Sequence, residues 1–364
     1  MRRSSTHVAH WRMRSLRLAG APFGAPAEVV GWLGAVQSQD YGPAKWSLGQ
    51  RTGGVADAAV EQAFTDGAIL RTHLLRPTWH FVLPADIRWM LELTAPRVHT
   101  LNAYMYRRLG LDDAVVARST ALLAGALEGG NLHTRKELGA VLEGAGIATA
   151  GFRLAYLLMH AELEGVVCSG PPRGKQHTYA LLDERASASI SLGREEALAA
   201  LTLRYFTSHG PATQKDFRWW SSLTAADVKR GLEMVAPQLE HEVIDGLSFW
   251  FAPSPPAPPE PSPTVRLLQG YDEYIVGYSE SKYVLDASGG TRSLPLDRIP
   301  FNHAVVLDGQ VAGHWKRTLR SDAVIIEAAL YEPFSDPQAR ALQAAADRHG
   351  VFLGLPATVV CSKL

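Results

Sequence analysis

Cysteine is nearly absent, with only Cys168 and Cys361 in 364 residues. Two thiols so far apart match no metal-ligand spacing, and a reducing, cytoplasmic setting is expected. No apolar run approaches the roughly eighteen residues of a membrane span. The segment from Met1 to Gly20 carries Arg2, Arg3, Arg12, Arg14 and Arg17 but lacks the apolar centre of a signal peptide. Ser362-Lys363-Leu364 spells a peroxisomal address, which at three residues reads as chance. Net charge is also missing, since 36 Lys+Arg balance 36 Asp+Glu.

The common catalytic devices are missing too. There is no P-loop, no GxGxxG after a strand and no HExxH. Thirteen histidines are scattered without ligand spacing, and His7 and His10 come closest, in an arm expected to be mobile. Neither a metal nor a cofactor is expected. Asp272-Glu273 is a carboxylate pair, but neighbours on a strand face opposite ways, so one satisfied and one solvated residue is the expectation. Asp112-Asp113 opens a helix and is explained by its macrodipole.

What is present begins with charge asymmetry. Residues 1–110 hold 13 Lys+Arg against 7 Asp+Glu, and the remainder holds 23 against 29. This distribution fits a polyanion-binding face or a solvated surface, and does not decide between them. With 46% apolar and 20% charged residues, the chain has the balance of a soluble globular protein, long enough for two or three domains.

One pattern, three helices followed by two short strands, repeats three times. In the middle copy helices are predicted over Asp112–Glu128, Arg135–Glu143 and Thr149–Glu164. Thr134 and Glu137 there form a capping box, and Gly129-Gly130, Gly144, Gly146 and Gly165 act as stops. Val166–Ser169 and His177–Leu182 then form a basic-tipped hairpin. The last copy has helices over Arg194–His209, Ala212–Ser221 and Ala225–Val235. Its strands, Leu239–Ile244 and Leu247–Ala252, join at Asp245-Gly246. The first copy has helices over Ala27–Val36, Pro43–Arg51 and Val55–Thr65, with strands at Ile69–Leu74 and Thr78–Val82. Helix-turn-helix plus hairpin is a winged helix.

The predicted fold is therefore α+β: three tandem winged-helix units and a C-terminal β-rich region, presenting a concave surface. The predicted boundaries are 1–110 with an N-terminal arm and a following helix, 111–190, 191–252, a Pro-rich linker 253–263, and 264–364. In the last region strands are expected at Val265–Gln269, Glu273–Val276, Ala304–Leu307, Gln310–Lys316, Ala323–Leu330, Val351–Leu355 and Thr358–Cys361. A helix is expected over Pro337–His349.

Two aromatic groups and one polar segment stand out. Phe217-Arg218-Trp219-Trp220 has helical spacing, for which core packing is favoured over base stacking. Trp315, between His314 and Lys316-Arg317, fits a hairpin inserted into a groove or a core tryptophan with solvated neighbours. Gln37 and Gln39 lie two apart, and on a helix such residues point about 200° apart. Pro43 at the first position of the next helix, with Gly42 as its cap, places both glutamines in a turn where they can converge. There the amides either tie off helix ends or serve as uncharged hydrogen-bonding groups at a site.

Taken together, several segments resemble the AlkZ-type, winged-helix DNA glycosylases, a bacterial family related to YcaQ. They are Leu33–Asp40 (LGAVQSQD), Leu75–His80 (LRPTWH), His209–Thr213 (HGPAT), Asp216–Trp220 (DFRWW), Leu267–Asp272 (LLQGYD) and Leu307–Arg317 (LDGQVAGHWKR). The resemblance implies catalysis by a Gln-x-Gln motif, here Gln37 and Gln39, with polar Ser38 where the family often has an apolar residue. It also implies a hairpin in the DNA cleft, assigned to Val305–Arg317. DNA contacts are expected from His314, Trp315, Lys316, Arg317, Lys45 and Arg76. The implied partner is duplex DNA bearing alkylated purines, and the implied protein is a monomer in the bacterial cytoplasm. Some members of this type are linked to self-resistance against a DNA-crosslinking natural product.

The chemistry is compatible with two neutral amides. Guanine alkylated at N7 is cationic and leaves without strong acid catalysis. The remaining task is to hold a water against an oxocarbenium-like sugar, with Asp40 the nearest carboxylate. A crosslink joins both strands and obstructs extrusion of the nucleotide, so an open groove is expected. The competing reading is a winged-helix DNA binder without catalysis, a regulator or a drug-sequestering protein. The third helix of the middle unit offers only Arg153 for base reading, which weighs against a sequence reader.

Overall fold

The computed structural model describes residues 5–187, 189–253, 261–286 and 303–363. Residues 254–260 of the expected Pro-rich linker lie outside that range.

Helix α1 (Ser5–Ser15) leads to α2 (Pro26–Leu33), which stops at Gly34, whose φ of 84° turns the chain into β1 (Val36–Gln37). Then follow α3 (Tyr41–Gly49), α4 (Asp57–Thr65), β2 (Leu70–His73), β3 (Trp79–Val82) and the long α5 (Ile87–Arg108). The first unit's sheet has the order β1-β3-β2, all antiparallel.

The second unit comprises α6 (Asp113–Leu127), β4 (His133–Thr134), α7 (Arg135–Gly144), α8 (Arg153–Leu163), β5 (Val167–Arg173), β6 (Gln176–Leu181) and the single turn α9 (Leu182–Arg185). The expected capping box is present: Thr134 accepts from Glu137 N–H, and the Glu137 side chain accepts from Thr134 N–H. In the third unit are α10 (Arg194–Ser208), α11 (Gln214–Ser221), α12 (Ala225–Val235), β7 (Glu240–Ile244) and β8 (Leu247–Phe251). Thr213 and Thr224 cap α11 and α12 in the same reciprocal way.

The C-terminal part contains β9 (Val265–Leu268), α13 (Glu273–Val276), β10 (His303–Leu307), β11 (Gln310–Leu319), β12 (Val324–Leu330), α14 (Asp336–Leu353) and β13 (Ala357–Lys363). Its strands form one sheet in the order β13-β12-β11-β10-β9, with only β12–β13 parallel.

Several expectations are corrected. Glu273–Val276 is one helical turn, because the Asp272 side chain accepts from Tyr274 N–H and caps it. Val351–Leu355 is the end of α14, closed at Gly354 with φ 70°. The N-terminal arm is a packed helix, with Val8, Ala9, Arg12 and Met13 buried. Arg12 donates to the Pro211 carbonyl at 2.9 Å and stacks 3.6 Å from the Tyr278 ring centroid. Helix α3 starts at Tyr41 with Asp40 at its cap position, not at Pro43.

The second unit has its own core, built from Leu123, Leu127, Leu138, Leu142 and Leu157. The first unit, the third unit and the C-terminal sheet share a single apolar cluster that includes Leu33, Phe81, Phe206, Trp220, Leu267 and Trp315. That shared core fixes the strand carrying Gln37 against α13 and α11. No helix among the described residues is long and apolar enough to cross a membrane.

Candidate active site

Gln37 lies on a short strand, not in a turn. Val36 pairs with Phe81 and Gln37 with His80, and Ser38 N–H extends the ladder to the Trp79 carbonyl at 2.7 Å. Gln39 follows two residues later, in the bend that leads from this strand into α3. Arg71 locks the segment by donating to the Ser38 carbonyl from Nε and Nη2, at 3.2 and 3.0 Å.

Each amide is oriented by a group that can only donate. Arg76 Nη2 donates to Gln37 Oε1 at 2.6 Å, and Trp79 backbone N–H donates to Gln39 Oε1 at 3.3 Å. Both oxygens are thereby assigned, and each keeps a second lone pair. Gln37 is 5% exposed and Gln39 half-buried. Asp40 is exposed and, although at the cap position of α3, makes no capping bond.

Beneath Gln37 lies a residue whose role the sequence did not reveal. Glu273 is fully buried and accepts from Gln37 N–H at 2.8 Å, Trp220 Nε1–H at 2.8 Å and His209 Nε2–H at 3.3 Å. Burial opposes its ionisation, but the His209 hydrogen bond and charge, the Gln37 amide and the Arg76 charge outweigh it and hold the carboxyl at about 2. Burial in turn lowers the His209 pKa against the pull of Glu273, with Ser208 Oγ 2.8 Å from His209 Nδ1. Asp272 is buried as well, paired with Arg51 at 2.7 and 2.8 Å. Neither member of the Asp272-Glu273 pair is solvated, contrary to expectation. One-turn helical geometry, not strand alternation, buries both.

The remaining site candidates separate. Lys45 is bound to Asp57 and Glu61 at 2.8 and 2.7 Å. Arg76 is enclosed at Gln37, with its Nη1 buried and unpartnered and its Cζ 5.9 Å from the Trp219 ring centroid. Phe217 and Trp220 are core residues, whereas Trp219 is 53% exposed and donates Nε1–H to the Val276 carbonyl. Trp315 is 5% exposed, with its indole N–H on the Leu268 carbonyl at 2.9 Å. His314 is half-buried against the Tyr331 hydroxyl, and Lys316 is exposed, 2.8 Å from Glu327. Arg317 points the other way, its Nη1 3.3 Å from His349 Nε2. A Cβ on Gly42 would lie 3.8 Å from Arg317 Nη2, which places Arg317 beside the start of α3.

The β10–β11 hairpin forms where expected, but its Asp308-Gly309 turn is docked. Tyr274 Oη donates to the Gly309 carbonyl at 2.6 Å, and His10 Nε2 lies 3.0 Å from the Asp308 carbonyl.

Within this α+β scaffold Gln37, its amide oxygen assigned by Arg76, sits on the buried carboxylate of Glu273, with Gln39 two residues further on. The family model for AlkZ-like DNA glycosylases matches residues 30–352, and the chain belongs to that family. It is a DNA glycosylase. It is 26% identical to a Streptomyces sahachiroi protein named interstrand DNA cross-link repair glycosylase, over 93% of this chain and 92% of that one. The solved structure of the Streptomyces sahachiroi DNA glycosylase AlkZ has the same fold. The match covers 99% of this chain and all of that one, at TM-score 0.80 and 23% identity.

Proposed function

We propose that the protein is a monofunctional glycosylase that hydrolyses the N-glycosidic bond of N7-alkylated purines, including those in interstrand crosslinks. In this reading Gln37 and Gln39 position the attacking water. One observation carries it: both amide oxygens are oriented by fixed donors, Arg76 for Gln37 and the Trp79 N–H for Gln39. Each spare lone pair can take a proton of the same water, turning its oxygen toward the anomeric carbon. The oxygens also face the positive charge that develops on the sugar. The site needs no strong acid, because the N7-alkylated base already leaves as a cation. The crosslink part of this reading is supported by the name of the Streptomyces sahachiroi relative, and the N7-alkylated purine by the family resemblance.

The three helix–helix–helix–hairpin units are read as tandem winged helices, 1–110, 111–190 and 191–252, with 264–364 closing a concave duplex-binding surface. The protein acts as a monomer, associated with DNA in the bacterial cytoplasm. Lys316 is the DNA contact favoured here, and Arg317 lies against His349 on the opposite face of the strand. Lys45, Arg76, His314 and Trp315 are engaged within the fold and support the surface.

The test is base release from duplexes carrying N7-methylguanine or a defined N7-guanine crosslink. Gln37→Ala with Gln39→Ala is expected to slow single-turnover release by about a thousandfold or more while duplex binding persists. Wild-type rates in that variant would refute the assigned chemistry. Failure of the wild type to release any N7-alkylated base would refute the substrate class.

A further inference from the structure

Away from the glutamines, α5 and the C-terminal end of α8 bring together His99, His160 and Glu164. One ligand-type atom from each lies within 4.8 Å of the others. The two imidazoles are tilted by 49°, with ring centroids 4.8 Å apart. His99 Nε2 and His160 Nδ1 are buried and have no hydrogen-bond partner. A buried ring nitrogen without a hydrogen bond carries a desolvation cost, which for His99 only the nearby Glu164 carboxylate eases and for His160 Nδ1 no hydrogen bond offsets.

The contact between His99 and Glu164 is informative. His99 Nε2 is 3.0 Å from Glu164 Oε1, yet it is not aligned for a hydrogen bond. Two ligands at about 2.0–2.1 Å from a tetrahedral zinc ion lie about 3.3 Å apart, so this spacing is close to one edge of a coordination polyhedron. The other nitrogen of His99, Nδ1, is 2.9 Å from the Tyr106 hydroxyl. Such an outer contact fixes ring orientation and leaves Nε2 for an ion. His160 and Glu164 are four apart on one helical face, and His99 approaches from α5. A cavity of about 230 Å³ adjoins the group and is lined by Glu92, His99 and Glu164. It leaves room for water or a fourth oxygen ligand. Arg88 also lines this cavity, but its guanidinium is paired with Asp183.

We infer that His99, His160 and Glu164 form a site for a divalent transition-metal ion of the zinc type, which clips α5 to α8. Two imidazoles and a carboxylate suit zinc better than calcium or magnesium, which prefer all-oxygen sets. The ion would join the helix that follows the first unit's sheet to the third helix of the second unit. The widest spacing, 4.8 Å, closes to such an edge by side-chain movement of about 1.5 Å. This inference does not depend on the proposed substrate or on the role of the glutamines.

Purified full-length protein is dialysed against ZnCl₂ and its bound zinc measured, with Co²⁺ as a spectroscopic probe. The wild type is expected to bind one zinc per chain and to give a visible Co²⁺ absorption band. Its melting temperature should rise with zinc concentration. His99→Ala and His160→Ala are each expected to weaken binding at least tenfold and to abolish that rise. Absence of binding by the wild type, or equal binding by both variants, overturns the site. Should a variant fail to fold, the His99 and His160 ring resonances of the wild-type protein decide. A zinc-dependent shift supports the site, and unmoved rings with zinc bound elsewhere overturn it.

Discussion

A carboxylate without solvent stays ionised only where fixed donors replace its water shell. Glu273 has the Gln37 amide, the Trp220 indole and the His209 imidazole, with the Arg76 charge nearby. It thus fixes the backbone of Gln37 while Arg76 fixes the side chain. Glu273→Gln presents an NH₂ group to at least one N–H donor, with no exposure to relieve the conflict. The variant is expected to lose about 3–5 kcal/mol of stability. It should also lose base release at temperatures where it is still folded. The carboxyl is held at about 2, below its ordinary 4.5, so its stabilisation is complete above about pH 4.5 and fades as pH falls toward 2. Urea unfolding of wild type and variant across that interval checks the linkage. Equal pH slopes would remove Glu273 from the account.

At the scale of elements, the hairpin β10–β11 separates two kinds of residue that are adjacent in the chain. Trp315 faces the core and Lys316 faces solvent. Trp315→Ala is expected to cost about 3–5 kcal/mol of stability, while duplex affinity of the folded fraction is kept. Lys316→Ala should change stability by less than about 0.5 kcal/mol and weaken duplex binding. Thermal melts beside anisotropy titrations separate the two, and a Trp315 variant that melts normally but binds no DNA would refute this assignment. Elements with local signals were legible in the sequence. Thr134 with Glu137 announces α7, and Asp308-Gly309 announces the hairpin. Elements fixed by distant partners were not. The strand at Gln37 exists because β3 pairs with it, and α1 is held by Arg12 contacts to Pro211 and Ser281, about 200 or more residues away. Of the site, the two glutamines were readable as a motif. Glu273 was not, because its three donors come from Gln37, His209 and Trp220, far from it in sequence.

At the scale of the whole molecule, part of the charge asymmetry is consumed inside the fold. Cations of the first 110 residues meet acids further along: Arg12 faces Asp216, Arg51 is paired with Asp272, Arg88 with Asp183, and Arg76 feels Glu273. Lys45 is spent locally on Asp57 and Glu61, and Arg71 on the Ser38 carbonyl. These six cations of the segment therefore serve as internal bonding, while Arg107 and Arg108 remain exposed. The thermodynamic consequence concerns salt. Each neutralised phosphate adds about −0.9 to the slope of log affinity against log salt. With so many cations already paired, two or three phosphate contacts are expected, which gives a slope near −2 to −3. Raising salt from 50 to 200 mM should then weaken duplex binding by about ten- to fiftyfold, well short of the thousandfold or more of a strongly basic binder. Anisotropy titrations on undamaged duplex provide the slope. A value steeper than about −5 would mean that an extensive basic surface forms despite these pairings.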